Sequence, residues 1–389
     1  MTPQARVQAA IEILDEIIIS TTVDGPPADI LVSRYFKNRR YAGGSDRRAV
    51  REMVFRTIRE IGDRPPTGRS AIYSAIGETR RWFDGSNHGP AVRDIDEPQA
   101  KTRLIPSWLQ AELSTHVSKK EWAALLERAP VDLRVNVARA CRNELLAEFP
   151  GAKKTPNSPW GIRLPADSRV DDHPAFQEGL VEVQDEGSQL IAAACEAKDD
   201  ELVIDLCAGA GGKSLALAAA APNARILATD SNRARLSKLP ARAERAGAAI
   251  ESRLLDPAKE LEQLDDWRGT ADLVLVDAPC SGSGTWRRNP EGRWRLTPER
   301  LDRLVALQAR LLDIAAELVR PGGRLVYAVC SLLSREGAGQ IQDFISRRSS
   351  WIVHETPVTA GRSDGAGRLL SPGHDGTDGF FVARLGRPC

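Results

Sequence analysis

The 389-residue sequence predicts an α/β protein whose second half is a Rossmann-like, mostly parallel, doubly wound sheet. Three observations carry this. From about Val181 onward, short apolar runs alternate with amphipathic segments of helical length, the pattern of parallel strands joined by helices that cover both faces. The run Asp205-Leu206-Cys207-Ala208-Gly209-Ala210-Gly211-Gly212-Lys213-Ser214 places a glycine-rich turn between one strand and the next helix, where open sheets bind ligands. Finally, acidic residues stand at three successive strand ends, Asp205, Asp230 and Asp256.

In chain order, Val7, Ala10, Ile11, Leu14, Ile17 and Ile18 recur at helical spacing up to a break at Asp24-Gly25-Pro26-Pro27. Helices follow over Ala28 to Phe36 and Asp46 to Ile61, the second with Ser45 as its expected N-cap, so residues 1–83 read as an all-helical domain. The polar stretch 84–105, broken by Gly and Pro, reads as a linker. Residues 106–180 read as a small α+β segment, with helices over Ser107 to Thr115, Lys119 to Glu127 and Arg142 to Phe149 and strands at Val131 to Val137 and Gly161 to Leu164.

Residues 181–389 hold the main sheet. A helix over Glu186 to Ala197 precedes the strand Leu202 to Leu206, the glycine turn and a helix from Lys213 to Ala221. The strand Arg225 to Asp230, a helix Arg233 to Ala246, and strands Ala249 to Leu254 and Ala271 to Asp277 follow. A long helix runs from Pro298 to Val319, with Thr297 as N-cap and Pro298 at its first position. It stops at Pro321-Gly322-Gly323, Arg324 to Val329 makes the next strand, and Gly379 to Leu385 closes the sheet.

Composition narrows the function. The length allows two or three domains, and 42% hydrophobic with 28% charged residues is the balance of a soluble globular protein. No run approaches the ~20 apolar residues of a membrane span. The first helix carries Glu12, Asp15 and Glu16, which a secretion signal excludes, so a cytoplasmic protein without membrane contact is expected. Lys and Arg total 54 against 53 Asp and Glu, so net charge does not announce a nucleic-acid partner. Arginines do cluster locally. Arg34 to Arg40 and Arg47 to Arg59 read as solvated helix faces, whereas Arg287 to Arg295, interleaved with Trp286 and Trp294, suits phosphate contact and base stacking on RNA. Cys141, Cys195, Cys207, Cys280, Cys330 and Cys389 are scattered without a CxxC pair or a nearby His cluster, so reduced thiols are expected rather than disulfides or a metal site.

The glycine loop is matched to its ligand by spacing. A dinucleotide fingerprint needs glycine where Ser214 stands, and a phosphate-binding Walker loop needs more residues between its first glycine and Gly-Lys-Ser than Gly209 and Gly212 allow. An S-adenosylmethionine loop fits better. Asp230 is placed to accept from both ribose hydroxyls and Asp256 to meet an adenine amine, although either aspartate alone also suits a turn or a cap. The candidate cofactor-binding residues are Cys207, Ala208, Gly209, Ala210, Gly211, Gly212, Lys213, Asp230, Asp256 and Asp277.

Five stretches then share one order: Val183-Gln184-Asp185-Glu186-Gly187-Ser188-Gln189, the Asp205 to Ser214 loop, Asp277-Ala278-Pro279-Cys280-Ser281-Gly282, Val329-Cys330-Ser331, and Asp378-Gly379-Phe380-Phe381. Together they resemble the motif set of the RNA 5-methylcytosine methyltransferases, the bacterial ribosomal methyltransferase B and Nop/Sun family. The resemblance covers roughly Val131 to the C-terminus, and residues 1–83 more loosely resemble the NusB-like RNA-binding domain of the bacterial branch. It implies a class I methyltransferase sheet with a C-terminal antiparallel strand, S-adenosylmethionine as cofactor, and a monomer acting on C5 of a cytosine in RNA. Small-subunit rRNA is the first expectation and tRNA the alternative. A non-catalytic RNA-binding or ribosome-assembly protein on the same fold is the reading of another class, and the presence of both Cys280 and Cys330 speaks against it.

The chemistry calls for these thiols. C5 of cytosine is a poor nucleophile until a thiolate adds to C6, which splits one hard step into two easier ones. The resemblance assigns that addition to Cys330, proton removal and product release to Cys280, and a hydrogen bond to the N3 and amino edge of the base to Asp277. Two positions depart from the family pattern, Ala210 where proline is usual and Val329 where threonine is usual. The first alters loop stiffness and the second removes a hydroxyl beside the nucleophile.

Overall fold

The computed structural model describes every residue except Asp24, so that part of the expected break lies outside the described residues. The chain divides into two compact units. One comprises Met1–Leu113, Trp122–Glu127 and Thr285–Pro298, the other Ser114–Glu121, Arg128–Gly284 and Glu299–Cys389.

The first unit is built on α1 (Pro3–Thr22), α2 (Ala28–Lys37), α3 (Gly44–Glu60) and α4 (Gly68–Ala75). Thr2 caps α1 by accepting from the Ala5 N–H, with Pro3 at the start where its missing donor costs nothing. The helical spacing of Val7, Leu14 and Ile17 buries them against Leu31, Val54, Ile58 and Ile72. The cap of α3 is Gly43 rather than Ser45. Asp46 decides this, because its carboxylate accepts the Gly43 N–H at 3.2 Å and also pairs with Arg6 and the N-terminal amine. The helices expected over 107–115 and 119–127 are only 3-10 turns, Ser107–Ala111 and Lys119–Glu121, since stretches this short bury too little to offset the cost of helix nucleation.

The segment Thr285–Pro298 is a larger correction. Trp286 and Trp294 are each 1% exposed, and Arg287 and Arg293 are buried too; Arg288 is the exposed arginine of the group. The physical reason is helix capping. The Trp294 indole N–H donates to the Ile61 carbonyl at 2.8 Å, and the Arg293 guanidinium donates to the Ile58 carbonyl, both at the C-terminal end of α3. Arg295 donates to the Ser20 carbonyl near the end of α1, and Glu291 accepts the Ala28 N–H that opens α2. Arg293, Trp294 and Arg295, part of what resembled an RNA-binding loop, instead satisfy backbone groups that the helices leave open.

In the second unit, β1 (Val131–Val135), β2 (Lys153–Lys154), β3 (Gly161–Leu164) and β4 (Val181–Val183) form an antiparallel sheet in the order β2-β3-β1-β4. A nine-stranded sheet follows: β5 (Leu202–Asp205), β6 (Arg225–Asp230), β7 (Ile250–Leu254), β8 (Ala271–Asp277), β9 (Val319–Val329), β10 (Ile352–His354), β11 (Arg362–Asp364), β12 (Gly367–Leu370) and β13 (Phe380–Gly386). Its order is β11-β12-β13-β9-β8-β5-β6-β7, with β5 to β9 parallel and β13 antiparallel to β9. Leu273 to Val276 of β8 are fully buried, which explains their unbroken apolar run.

Two expectations change here. The helix expected over 233–246 is split into Arg233–Leu236 and Leu239–Ala246, because Pro240 has no N–H to bond the carbonyl four residues back. Nor does β13 close the sheet. Strands β12 and β10 lie end to end along its free edge, and β11 pairs with β12. These strands are too short for an alternating pattern to be read from them.

Candidate functional site

The site forms where the connectivity reverses, at β5, whose neighbours are β6 on one side and β8 on the other. Register carries the ends of the strands to one edge: Asp205 pairs with Ala228 and Leu275, and Asp277 with Ala328, two residues short of Cys330. Everything described below belongs to the second unit.

The glycine loop takes the conformation its residues allow. Gly209 and Gly211 have φ of 58° and 82°, the left-handed region that side chains resist. Asp230 pins the loop by accepting the Gly209 N–H at 2.7 Å through one oxygen and the Asn232 N–H at 2.6 Å through the other. Three arginines that local pattern did not single out hold the rest. Arg242 donates to the Ala210 carbonyl at 2.6 Å, buried Arg134 donates to the Gly212 carbonyl at 2.6 Å, and the Arg235 guanidinium lies against Gly209. The Ala210 departure thus falls at a position fixed through its carbonyl.

Asp205 is fully buried. One oxygen accepts from Ser214 at 2.7 Å and the other has no hydrogen-bond partner. Burial pushes its carboxyl up to about 7, against the pull of the Ser214 bond. Lys213 reaches from the loop to Asp277, Nζ to Oδ2 at 2.6 Å. Burial alone would lower this ammonium's pKa, but the Asp277 carboxylate raises it on balance, so Lys213 keeps its proton. Asp256 is different: it is exposed in the turn after β7, and the hydrogen bonds that knit Asp205, Asp230 and Asp277 to the loop do not include it. Cys207 is desolvated and its thiol is pushed well up, while Cys195, buried against the Ile191 carbonyl, is pushed up to about 12. Both are inert at neutral pH.

The two thiols singled out in the sequence meet. Cys280 Sγ and Cys330 Sγ are 3.4 Å apart, although fifty residues separate them. The hydrogen bond to Cys330 and burial push the Cys280 thiol well up, so Cys280 keeps its proton at neutral pH. The first and last motifs also converge, since Asp185 accepts the Asp378 N–H at 3.0 Å. Sequence reasoning missed Glu336, a fully buried carboxylate that binds Ser281 and Ser331, the residues after the two thiols. Six residues past Cys330, it carries no local signal. The assembled edge offers two adjoining thiols, with Cys280 still protonated, a Lys213–Asp277 ion pair and a loop shaped for a ligand.

Comparison with known proteins gives this edge a context. Residues 192–386 match the family model described as 16S rRNA methyltransferase RsmB/F. The chain is 35% identical over 293 residues to the ribosomal RNA small subunit methyltransferase B of Enterobacter sp. (strain 638), an alignment covering 73% of this chain and 67% of that relative. A solved structure described as PH0851 superposes with a TM-score of 0.76 at 23% identity, over 97% of this chain and 98% of its own. NSun6 from Pyrococcus horikoshii, solved with SFG, gives a TM-score of 0.64 at 20% identity over 72% of this chain and 96% of its own. At such identities the two structures speak for the fold alone.

Proposed function

The chain belongs to the 16S rRNA methyltransferase RsmB/F family, whose methyl donor is S-adenosylmethionine, and from that premise we propose that it methylates C5 of a cytosine in small-subunit rRNA through a covalent bond between Cys330 and C6. The observation that carries the proposal is the meeting of Cys280 and Cys330 at 3.4 Å on the edge that also holds Asp277 and Lys213.

The residues suit the cofactor. Acceptors at Asp205, Asp230 and Asp277 match a ligand rich in hydroxyl and amino donors and carrying a positive sulfonium, and the free oxygen of Asp205 is a buried acceptor awaiting a donor. Residues 207–213 with Asp230 and Asp256 would hold it, and when bound it supplies an electrophilic methyl group. Cys330 adds as the thiolate to C6, which makes C5 enamine-like. Asp277, oriented by Lys213, hydrogen-bonds the base edge and stabilises the charge as the thiolate adds. After methyl transfer, C5 bears both the methyl group and its original proton. Cys280 takes that proton, the sulfur–C6 bond breaks and the C5–C6 double bond returns. The timing follows from the thiol pair. Once Cys330 is a thioether, its hydrogen bond and its charge no longer hold the Cys280 thiol up, so the Cys280 proton is lost more readily after the adduct forms than before.

Within this reading the helical unit is a NusB-like RNA-binding domain. With Trp286, Arg287, Arg293 and Trp294 buried, its exposed cations Arg47, Arg48 and Arg51 on α3 take the role first expected of that segment.

Cys330→Ala is expected to abolish methylation, and full activity in that variant overturns the nucleophile assignment. Cys280→Ala is expected to accumulate a protein–RNA adduct, seen as a shifted band on a denaturing gel. Bisulfite mapping of rRNA and tRNA from cells lacking the protein identifies the target. Loss of a methyl group confined to tRNA replaces the rRNA assignment.

A further inference from the structure

We propose that Glu336 is a positioning residue of the methyl-transfer site, a carboxylate that ties the Cys280 and Cys330 loops together and holds the two thiols as a pair. The inference rests on reading those thiols as the reacting groups.

Glu336 is 0% exposed, and the donors that reach its carboxylate are neutral. A buried carboxylate is costly unless its oxygens are well satisfied. Here four bonds satisfy them, and they connect the two loops. One oxygen accepts the Ser281 backbone N–H at 2.8 Å and the Gln308 amide at 3.0 Å. The other accepts both the Ser281 hydroxyl and the Ser331 hydroxyl, the latter at 2.6 Å. The residue immediately after each thiol is therefore bound to the same oxygen atom.

Secondary contacts brace this clamp. The Gln308 amide also donates to the Pro279 carbonyl at 2.9 Å, fixing the backbone on the other side of Cys280. The Ser283 hydroxyl accepts the Leu332 N–H at 2.8 Å, and the Gly284 N–H donates to the Cys330 carbonyl at 3.0 Å. Glu336 is itself held from behind, where the Tyr327 hydroxyl donates to its main-chain carbonyl at 2.7 Å. Each reactive residue is thus fenced by neighbours that converge on one carboxylate. The same negative charge faces Cys280 and adds to the influences that keep its proton in place.

A purely structural role predicts lost stability alone, whereas a positioning role predicts altered thiol chemistry. Glu336→Gln separates the two, because the amide keeps the shape but has one accepting end instead of two, so one of the two donor pairs loses its acceptor and the negative charge is gone. In the full-length protein, kcat on a 16S rRNA fragment is expected to fall about a hundredfold, the loss that a misplacement of ~1 Å brings, with KM for RNA held within about twofold. The pH profile of Cys280 alkylation by iodoacetamide, read by peptide mass spectrometry, is expected to move to lower pH. An unchanged profile overturns the proposal even if activity drops. Ser281→Ala and Ser331→Ala each remove one arm of the clamp while keeping the charge, and if Glu336→Gln does not fold they carry the kcat-against-KM readout, where an unchanged kcat in both overturns the proposal. Should wild-type protein show no methylation, the functional reading fails while the alkylation profile still judges the clamp.

Discussion

Asp205 shows how one side chain sets a pH dependence. Its carboxyl, pushed from an ordinary 3.8 up to about 7 by burial, binds a proton more tightly in the folded chain than in the unfolded one. The stability this proton confers is complete below about pH 4 and is lost as the pH rises through about 7. Asp205→Asn removes the dependence. The unliganded variant is expected to be more stable than wild type at pH 8, by up to roughly 4 kcal/mol, and equal to it near pH 4. The same change is expected to weaken binding of S-adenosylhomocysteine, because the carboxylate that would meet the ligand is gone. Thermal unfolding at the two pH values and calorimetric titration check both arms. Asp205 itself was legible, since an acid ahead of a glycine turn is a local pattern. Its elevated pKa was not, because desolvation is the work of residues far away in the chain.

At the scale of elements, Thr285–Pro298 is the segment whose meaning changed most. Sequence shows tryptophan and arginine alternating, a composition that suits RNA and equally suits an anchor. The structure separates these readings by the open carbonyls at the end of α3, which Arg293 and Trp294 satisfy. Trp294→Ala is therefore expected to destabilise the helical unit by about 3 to 5 kcal/mol, from lost core volume and an orphaned Ile61 carbonyl. A solvated loop would tolerate the change within about 0.5 kcal/mol. Denaturant unfolding followed by far-ultraviolet circular dichroism measures the difference. The strands β5, β6, β8 and β9 were readable because buried parallel strands are continuous apolar runs. The hairpin β11–β12 was not, because its position is set by the edge of β13 and not by its own residues.

For the whole molecule, charge is the quantity that matters. A net charge of +1 provides little general attraction to RNA, so affinity must come from local clusters. Arg47, Arg48 and Arg51 form the exposed one on α3. Replacing all three with Gln is expected to weaken RNA binding regardless of sequence and to reduce the salt slope by as much as about 0.7 for each phosphate that is no longer neutralised. Binding measured across a range of salt concentrations tests this, and an unchanged slope returns α3 to a solvated face. The sequence by itself determined the family, the Rossmann-like sheet, the glycine loop and both thiols, because each is written in a short stretch whose geometry depends on near neighbours. Only the tertiary structure decided that Cys280 and Cys330 touch, that Glu336 binds the residue after each, and that Glu291, Arg293, Trp294 and Arg295 cap helices. Those outcomes depend on which distant backbone groups lack partners, and that is settled by packing.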